Sequence, residues 1–415
     1  MIVLPNSYRL TTGNNGCLRF VEIDGGDVYL LVDLCTKIPA TARIVRGHIV
    51  GLEGSPPSGY DGTYVEIQLT DGTPGAENLY GTVRLADGRQ VGHAITMVDP
   101  QLGLHSRLRG LFETEVLAQK AVLVIGLGSG GSSVAVELAK AGVRNFALVD
   151  HDRLEVHNVL RHACGISDLG RLKTNAVRDI ILDKNPDANV TTVNRQCDWT
   201  WHHEMLELVH RADLVFCCTD NRPSRLMINA LCVRDSKPCI YGGAFRRAYG
   251  GQVLRVTPHT SLCYQCFIDL MPEMAENQEI ASASAAVRIA YSDMPVAVEP
   301  GMSTDIAPIS LMCAKLGILE LLRGSETTLS PLYDDLTSSW YMWLNRREKG
   351  TQWEALPALD SGDADFRIMA WYGVRAERNK ACPTCGEFYM YADPAGRLTP
   401  SSAEVAAFGP ALAVE

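Results

Sequence analysis

The chain has 415 residues, 46% hydrophobic and 21% charged, ordinary globular usage that excludes intrinsic disorder, collagen-like and coiled-coil architectures. Thirty-eight basic against forty-eight acidic residues leave a formal net charge of -10, the wrong sign for a protein that coats nucleic acid, so any anionic ligand needs a local site. At roughly 100–200 residues per domain, the length predicts two or three domains.

The first ten residues carry no basic stretch followed by an apolar core, so no secretory signal is expected. The most apolar windows, 122–126 and 309–322, are short or interrupted by Lys315, whereas a spanning helix needs about 20 apolar residues. No membrane span is predicted. Thirteen cysteines, an odd count, suit free thiols and a metal site in a reducing cytoplasm better than a disulfide framework.

Residues 1 to about 100 alternate in short runs at 28–34, 42–50 and 64–69, separated by Gly, Pro and Asp clusters, which predicts a β-rich domain. Residues 104–119 show helical spacing. From 121 the pattern becomes strand, helix, strand: strands at 121–125, 146–150, 188–193, 213–218 and 238–241, with helices at 132–141, 173–184, 201–211 and 222–235. Strands alternating with helices predict an α/β, doubly wound, Rossmann-like and mostly parallel sheet. The Ala/Pro-rich residues 394–415 read as a flexible tail.

Gly126-Leu-Gly128-Ser-Gly130-Gly131 places the G-x-G-x-x-G spacing between a strand and a helix. Such glycines permit a tight turn and close backbone approach, while the helix N-terminus offers free N–H groups and a positive dipole end to phosphate. Asp150 ends the next strand at the offset of a ribose-binding carboxylate. Asn158 and Arg161, then Lys173 opening a helix, are tools for polyphosphate: arginine binds oxyanions bidentately and lysine supplies a mobile charge. Cys218-Thr219-Asp220-Asn221 follows a later strand and puts Asp220 at the carboxyl edge of the sheet, where it suits magnesium bridging phosphate oxygens.

Together, Gly126-x-Gly128-x-x-Gly131, Asp150-x-Asp152, Asn158-x-x-Arg161, Lys173 and Cys218-Thr219-Asp220-Asn221 resemble the ubiquitin-activating enzyme family, in its ThiF/MoeB-like adenylyltransferase branch. The resemblance covers 106–386 and leaves the first hundred residues outside. It implies that ATP and the C-terminal carboxylate of a ubiquitin-like or sulfur-carrier protein react to an acyl-adenylate and pyrophosphate. It also implies a homodimer in which the partner copy supplies an arginine to the phosphates. Ser106-Arg107 occupies that motif's place, with a solvated helix-face arginine as the competing reading and Arg109 equally available. His162 stands where the family commonly shows Gln, which leaves fine positioning of the nucleotide open.

Cys263-Tyr-Gln-Cys266 and Cys382-Pro-Thr-Cys385 form two C-x-x-C pairs that suit one tetrahedral zinc, closing a structural clamp between a loop after the sheet and the C-terminal segment. Paired redox motifs are the rival reading. Zinc there also fits the family. Family members often carry a thioester-forming cysteine after the first pair, and Ala297 occupies that position here. Alanine cannot attack an adenylate, so either the chain only adenylates or its nucleophile has been replaced. Cys313, in an apolar helical run, reads as a buried small hydrophobe, as do Cys217 and Cys218 at a strand end and Cys164 beside the phosphate segment. His202 and His203 lack ligand spacing.

The resulting expectation divides the chain into 1–100, β-rich; 101–393, an adenylation domain with the zinc site; and 394–415, the tail. Activation of a ubiquitin-like protein, with a conjugating enzyme as further partner, is the first reading. Activation of a sulfur carrier for thiamine or molybdopterin-type biosynthesis is the alternative. A nucleotide-binding scaffold without turnover is the third, and pyrophosphate exchange separates it from both enzymes.

Overall fold

Two successive hydrophobic patterns, period-two alternation and then buried strands between amphipathic helices, produce two different sheets. A computed structural model describes residues 1–5, 18–31, 42–50, 63–69, 79–98, 104–112, 114–270, 301–351, 353–360, 366–386, 390–392 and 398–400. Its two units are Met1–Arg107 and Leu108–Glu415.

The first unit holds β1 (Ile2–Pro5), β2 (Leu18–Ile23), β3 (Val28–Leu31), β4 (Arg43–Val50), β5 (Tyr64–Leu69), β6 (Leu79–Arg84), β7 (Gln90–His93) and β8 (Ile95–Val98). They form one sheet in the order β7-β6-β5-β4-β2-β3-β1-β8. Ile2, Leu4, Phe20, Val65, Ile67 and Val83 make its core.

The second unit opens with α1 (Thr114–Ala118), then runs β9 (Ala121–Ile125), α2 (Ser129–Lys140), β10 (Asn145–Val149), α3 (Lys173–Lys184), β11 (Asn189–Val193), α4 (His202–Arg211), β12 (Leu214–Cys217), α5 (Arg222–Arg234), β13 (Cys239–Ala244) and β14 (Gly250–Val256). It continues with α6 (Tyr264–Leu270), α7 (Ser303–Leu321), α8 (Ser330–Asp335), β15 (Trp340–Leu344) and β16 (Ala370–Val374). The sheet order is β11-β10-β9-β12-β13-β14-β15-β16. Its first five strands pair in parallel, and β13 through β16 pair antiparallel. The chain reverses direction across the sheet between β9 and β12, so the crevice at their carboxyl ends is the place where ligands of open α/β sheets bind.

Strand β9 shows why these runs are continuously apolar. Val122 and Val124 pack with Leu138, Phe146, Phe216 and Leu316 on one face. Leu123 and Ile125 pack with Met205, Val209, Met227 and Leu231 on the other. A strand covered on both faces has no polar side to alternate with.

Three elements depart from the sequence expectation. The helix expected over 104–119 is broken: Gly110 takes φ +87, leaving a 3-10 turn at Ser106–Leu108 and the short α1. The sequence pattern does not show the antiparallel extension, because β14 reads Gly-Gly-Gln-Val-Leu-Arg-Val, with two glycines, a glutamine and an arginine, although every residue in it is buried. Arg255 is tolerated there because its Nη2 donates to the carbonyls of Leu336 at 2.7 Å and Ser338 at 3.3 Å. Inside the expected tail, β18 (Leu398–Pro400) pairs antiparallel with β17 (Met390–Ala392), which lies just before it.

A candidate nucleotide site and a four-cysteine centre

The turn from β9 into α2 is built by two glycines with different tasks. Gly126 sits at φ +83, in the left-handed region, and a Cβ there would meet the Cys218–Thr219 backbone at 2.8 Å. At Gly131 a Cβ would lie 1.9 Å from the Gly126 carbonyl oxygen and 3.0 Å from Cys218 Cβ, so only glycine lets α2 pack this close to the strand ends. At Gly128 a Cβ would meet nothing within 4 Å, because that backbone borders open space. Helix α2 begins at Ser129, three residues earlier than the sequence pattern predicts. Gly128 caps it without a side-chain bond, and the first N–H groups of the helix remain for an anion.

That open space is a cavity of about 450 Å³, within the range of small-molecule sites. Gly126, Gly128, Asp150, Asp152, Asn158, Arg161, Lys173 and Asp220 all line it. The structure therefore brings these eight sequence-nominated residues together, with Gly131 packed behind them.

Their contacts are specific. Asp150 Oδ2 accepts from the Leu127 N–H at 2.6 Å and its Oδ1 from the Asp152 N–H at 2.8 Å, so one carboxylate ties the glycine turn to the end of β10. Lys173 is buried, and its Nζ donates to Asp152 Oδ2 at 2.7 Å. Asn158 Oδ1 accepts from the Glu155 N–H at 3.0 Å and so holds the turn before Arg161. Arg161 Nε is buried without a hydrogen-bond partner among the described residues. A cation with a buried, unsatisfied donor on a cavity wall is suited to an oxyanion. Asp220 is exposed, and the Asn221 carboxamide caps α5 by accepting from the Ser224 N–H at 3.0 Å.

Arg107 lies in the other unit, on the turn Ser106–Leu108. Ala297 falls outside the described residues. Among the thiols read as structural, Cys164, Cys217 and Cys313 are buried, and burial pushes the Cys217 thiol up to about 12. Cys218 is only partly buried, and both it and Cys313 reach the cavity wall. Burial holds Cys313 well above the ordinary thiol range, which suits a packed hydrophobe and not a nucleophile. His202 is held by the Trp199 carbonyl at 2.9 Å.

Arg225 has no signature in the sequence. It is buried and lines the cavity, donating from Nε to the Thr219 carbonyl and from Nη2 to the Gly242 carbonyl, each at 2.9 Å. Read along the chain, it is one arginine on an amphipathic helix, indistinguishable from a solvated one.

His162 acquires a defined role. Its Nδ1 accepts from the Cys164 N–H at 3.0 Å, which leaves the proton on Nε2, and Nε2 lies 2.7 Å from the Leu127 carbonyl to which it donates. The neutral ring thus braces the glycine turn. Burial holds its pKa below the ordinary 6.5. The unfolded chain therefore binds a proton before the folded one does, and stability falls as the pH drops from about 6.5 toward the folded-state value. Thermal unfolding midpoints at pH 7.5 and 5.5 are expected to fall further in the unaltered protein than in His162→Gln. Equal falls would remove this role.

The four cysteines form a second centre. Cys263 Sγ lies 3.7 Å from Cys382 Sγ and 3.9 Å from Cys266 Sγ, and Cys266 Sγ lies 3.4 Å from Cys385 Sγ. All four sulfurs are buried and within 4.8 Å of one another. Zinc–sulfur bonds of about 2.3 Å in a tetrahedron give sulfur–sulfur edges of about 3.8 Å, so the residues fit one structural zinc. The spacings are too long for disulfides. Hydrogen bonds from Cys263 first, then from Cys382 and Cys385, pull the Cys266 thiol far down, and the Thr384 N–H points at Cys382 Sγ from 3.4 Å.

The description "ThiF family" matches residues 100–344, more than half of the chain. The chain belongs to the ThiF family. It is 30% identical over 238 residues to the sulfur carrier protein ThiS adenylyltransferase of Escherichia coli K12, covering 56% of this chain and 85% of that protein. Against the molybdopterin-synthase adenylyltransferase of the same organism it is 34% identical over 163 residues, 39% of this chain and 64% of that one. Against ubiquitin-like modifier-activating enzyme 5 of Caenorhabditis elegans it is 28% identical over 162 residues, 37% of this chain and 39% of that one. With these relatives, the ThiF-family chain is an ATP-dependent adenylyltransferase. None of its described helices is long and apolar enough to cross a membrane.

Proposed function

We propose that the chain uses MgATP to adenylate the C-terminal carboxylate of a ubiquitin-like protein. The observation that carries this reading is the convergence of the glycine turn, Asp150, Arg161, Lys173 and Asp220 on one cavity. Asp150 holds the ribose, and the free N–H groups at the start of α2 with Arg161 and Lys173 hold the phosphates. Asp220 is the ligand for magnesium, a hard cation that takes carboxylate oxygen and neutralises phosphate charge when bound. Asp152 holds Lys173 poised beside the phosphates.

The carboxylate of the protein tail attacks the α-phosphorus, forming a carboxyl O–P bond and breaking the bond from the α-phosphorus to the bridging oxygen. Pyrophosphate leaves with that oxygen, and the acyl-adenylate remains. Arg161 and Lys173 neutralise charge as it moves to the leaving group, so the protein contributes positioning and electrostatics with no covalent step of its own. A second copy of the chain supplies Arg107 in this reading. Ala297 offers no nucleophile, so a thioester at residue 297 would require a cysteine there, and the step read here is the adenylation.

Sulfur-carrier activation is the second reading, with the same chemistry at the same residues. The 85% coverage of the ThiS adenylyltransferase favours it, while the β-rich first unit, which the family match leaves outside, favours a dedicated conjugation system. ATP–pyrophosphate exchange in the presence of the carrier tests the site: Asp220→Ala is expected to reduce it at least about 100-fold, the scale of losing one electrostatic contact to the transition state. Exchange that survives the substitution unchanged removes Asp220 from the magnesium site.

A further inference from the structure

Helix α5 touches both centres along one face. Arg225 and Asn229 stand four residues apart, and so on the same side of the helix. Both are buried, at 7% and 1% exposure. Arg225 fixes the Thr219 carbonyl, on the backbone that carries Asp220, and the Gly242 carbonyl across the cavity. One turn further on, Asn229 Nδ2 donates to Cys263 Sγ at 3.5 Å while Oδ1 accepts from the Tyr264 N–H at 2.9 Å.

Tyr264 joins the two ends. The Arg225 guanidinium lies 5.8 Å from its ring centroid, and the ring stacks on Tyr241 at 4.9 Å between centroids. The backbone that orients this ring is therefore held by Asn229 and by its neighbour Cys263. Hydrogen bonds to ligand sulfurs orient a metal's ligands and tune the site, and a side chain that also bonds the next residue transmits any change in ligand position.

We propose that Asn229 is a positioning residue through which the four-cysteine centre and the nucleotide site are coupled. Zinc at the centre sets Cys263; Asn229 and the Tyr264 backbone follow; the ring then sets Arg225 and the loop bearing Asp220. The coupling rests on the zinc and ATP readings above, and it adds a relay that neither requires.

Zinc affinity of the full chain is measured by chelator competition, with and without a non-hydrolysable ATP analogue. Coupling between two sites is reciprocal, so the analogue is expected to tighten zinc binding about fivefold or more. Asn229→Asp keeps the acceptor for Tyr264 and loses the donor to sulfur: zinc binding weakens and the analogue's effect falls to none. Tyr264→Leu keeps the sulfur contact and removes the ring, so zinc binding without nucleotide is retained and the analogue's effect is again lost. An analogue without effect on the unaltered chain, or an effect that survives in both variants, overturns the relay. The zinc titration reads whether zinc binds, and equilibrium dialysis of the labelled analogue against the same chain reads whether the analogue binds; failure of either overturns that site reading together with the relay, whereas binding of both without coupling overturns the relay alone.

Discussion

Replacing Arg161 with alanine is expected to slow ATP–pyrophosphate exchange by about 10²–10³-fold, the loss associated with removing one preorganised donor from a developing oxyanion. The basis is the buried Arg161 Nε, which has no partner among the described residues although the side chain lines the cavity. That one N–H has its desolvation cost uncompensated among the described residues. Arg161→Lys should recover little, because an ammonium cannot reproduce the fork of parallel donors. The fold should tolerate both changes, since the Asn158 turn and the glycine loop are held by other bonds. Full exchange by Arg161→Ala would mean that the cavity binds its phosphates elsewhere.

The second large effect concerns the four cysteines. Cys263→Ser is expected to abolish the zinc found by elemental analysis and to cost more than about 3 kcal/mol of stability in the C-terminal segment. Structural zinc contributes about 10–16 kcal/mol of apparent folding free energy in small peptides, and this unit also has its own apolar cores. The effect is expected to be local because a zinc shared by Cys263 and Cys382, 119 residues apart, would close that loop. Chelation should loosen residues around 366–386 before the parallel sheet, a sequence readable by hydrogen exchange. Protein that is metal-free and equally stable would leave the four thiols as an ordinary buried cluster.

What the sequence disclosed follows its physical signals. Strand β9 was legible because burial on both faces leaves an unbroken apolar run, and the glycine turn was legible because Gly126 and Gly131 have no steric substitute there. The cysteine pairs were legible because thiolates at ligand spacing have few other uses. Strand β14 was not, since Arg255 is neutralised by the carbonyls of Leu336 and Ser338 far along the chain and local composition cannot show it. Arg225 and Asn229 stayed hidden for the same reason: their roles come from carbonyls, a sulfur and a ring that the fold delivers. His162 was visible as a departure from the family's usual glutamine, but only the Cys164 and Leu127 contacts reveal that a neutral imidazole does the bracing.

Adenylation is read by intact mass measurement of small proteins ending in Gly-Gly, encoded beside this chain's gene, after incubation with the chain and MgATP. The expected product is a partner carrying one AMP on its C-terminal carboxylate, with pyrophosphate released in equal amount, and no such product when the carboxylate is amidated. ATP binding without an AMP-bearing partner, or AMP transferred equally to the amidated protein, would contradict it.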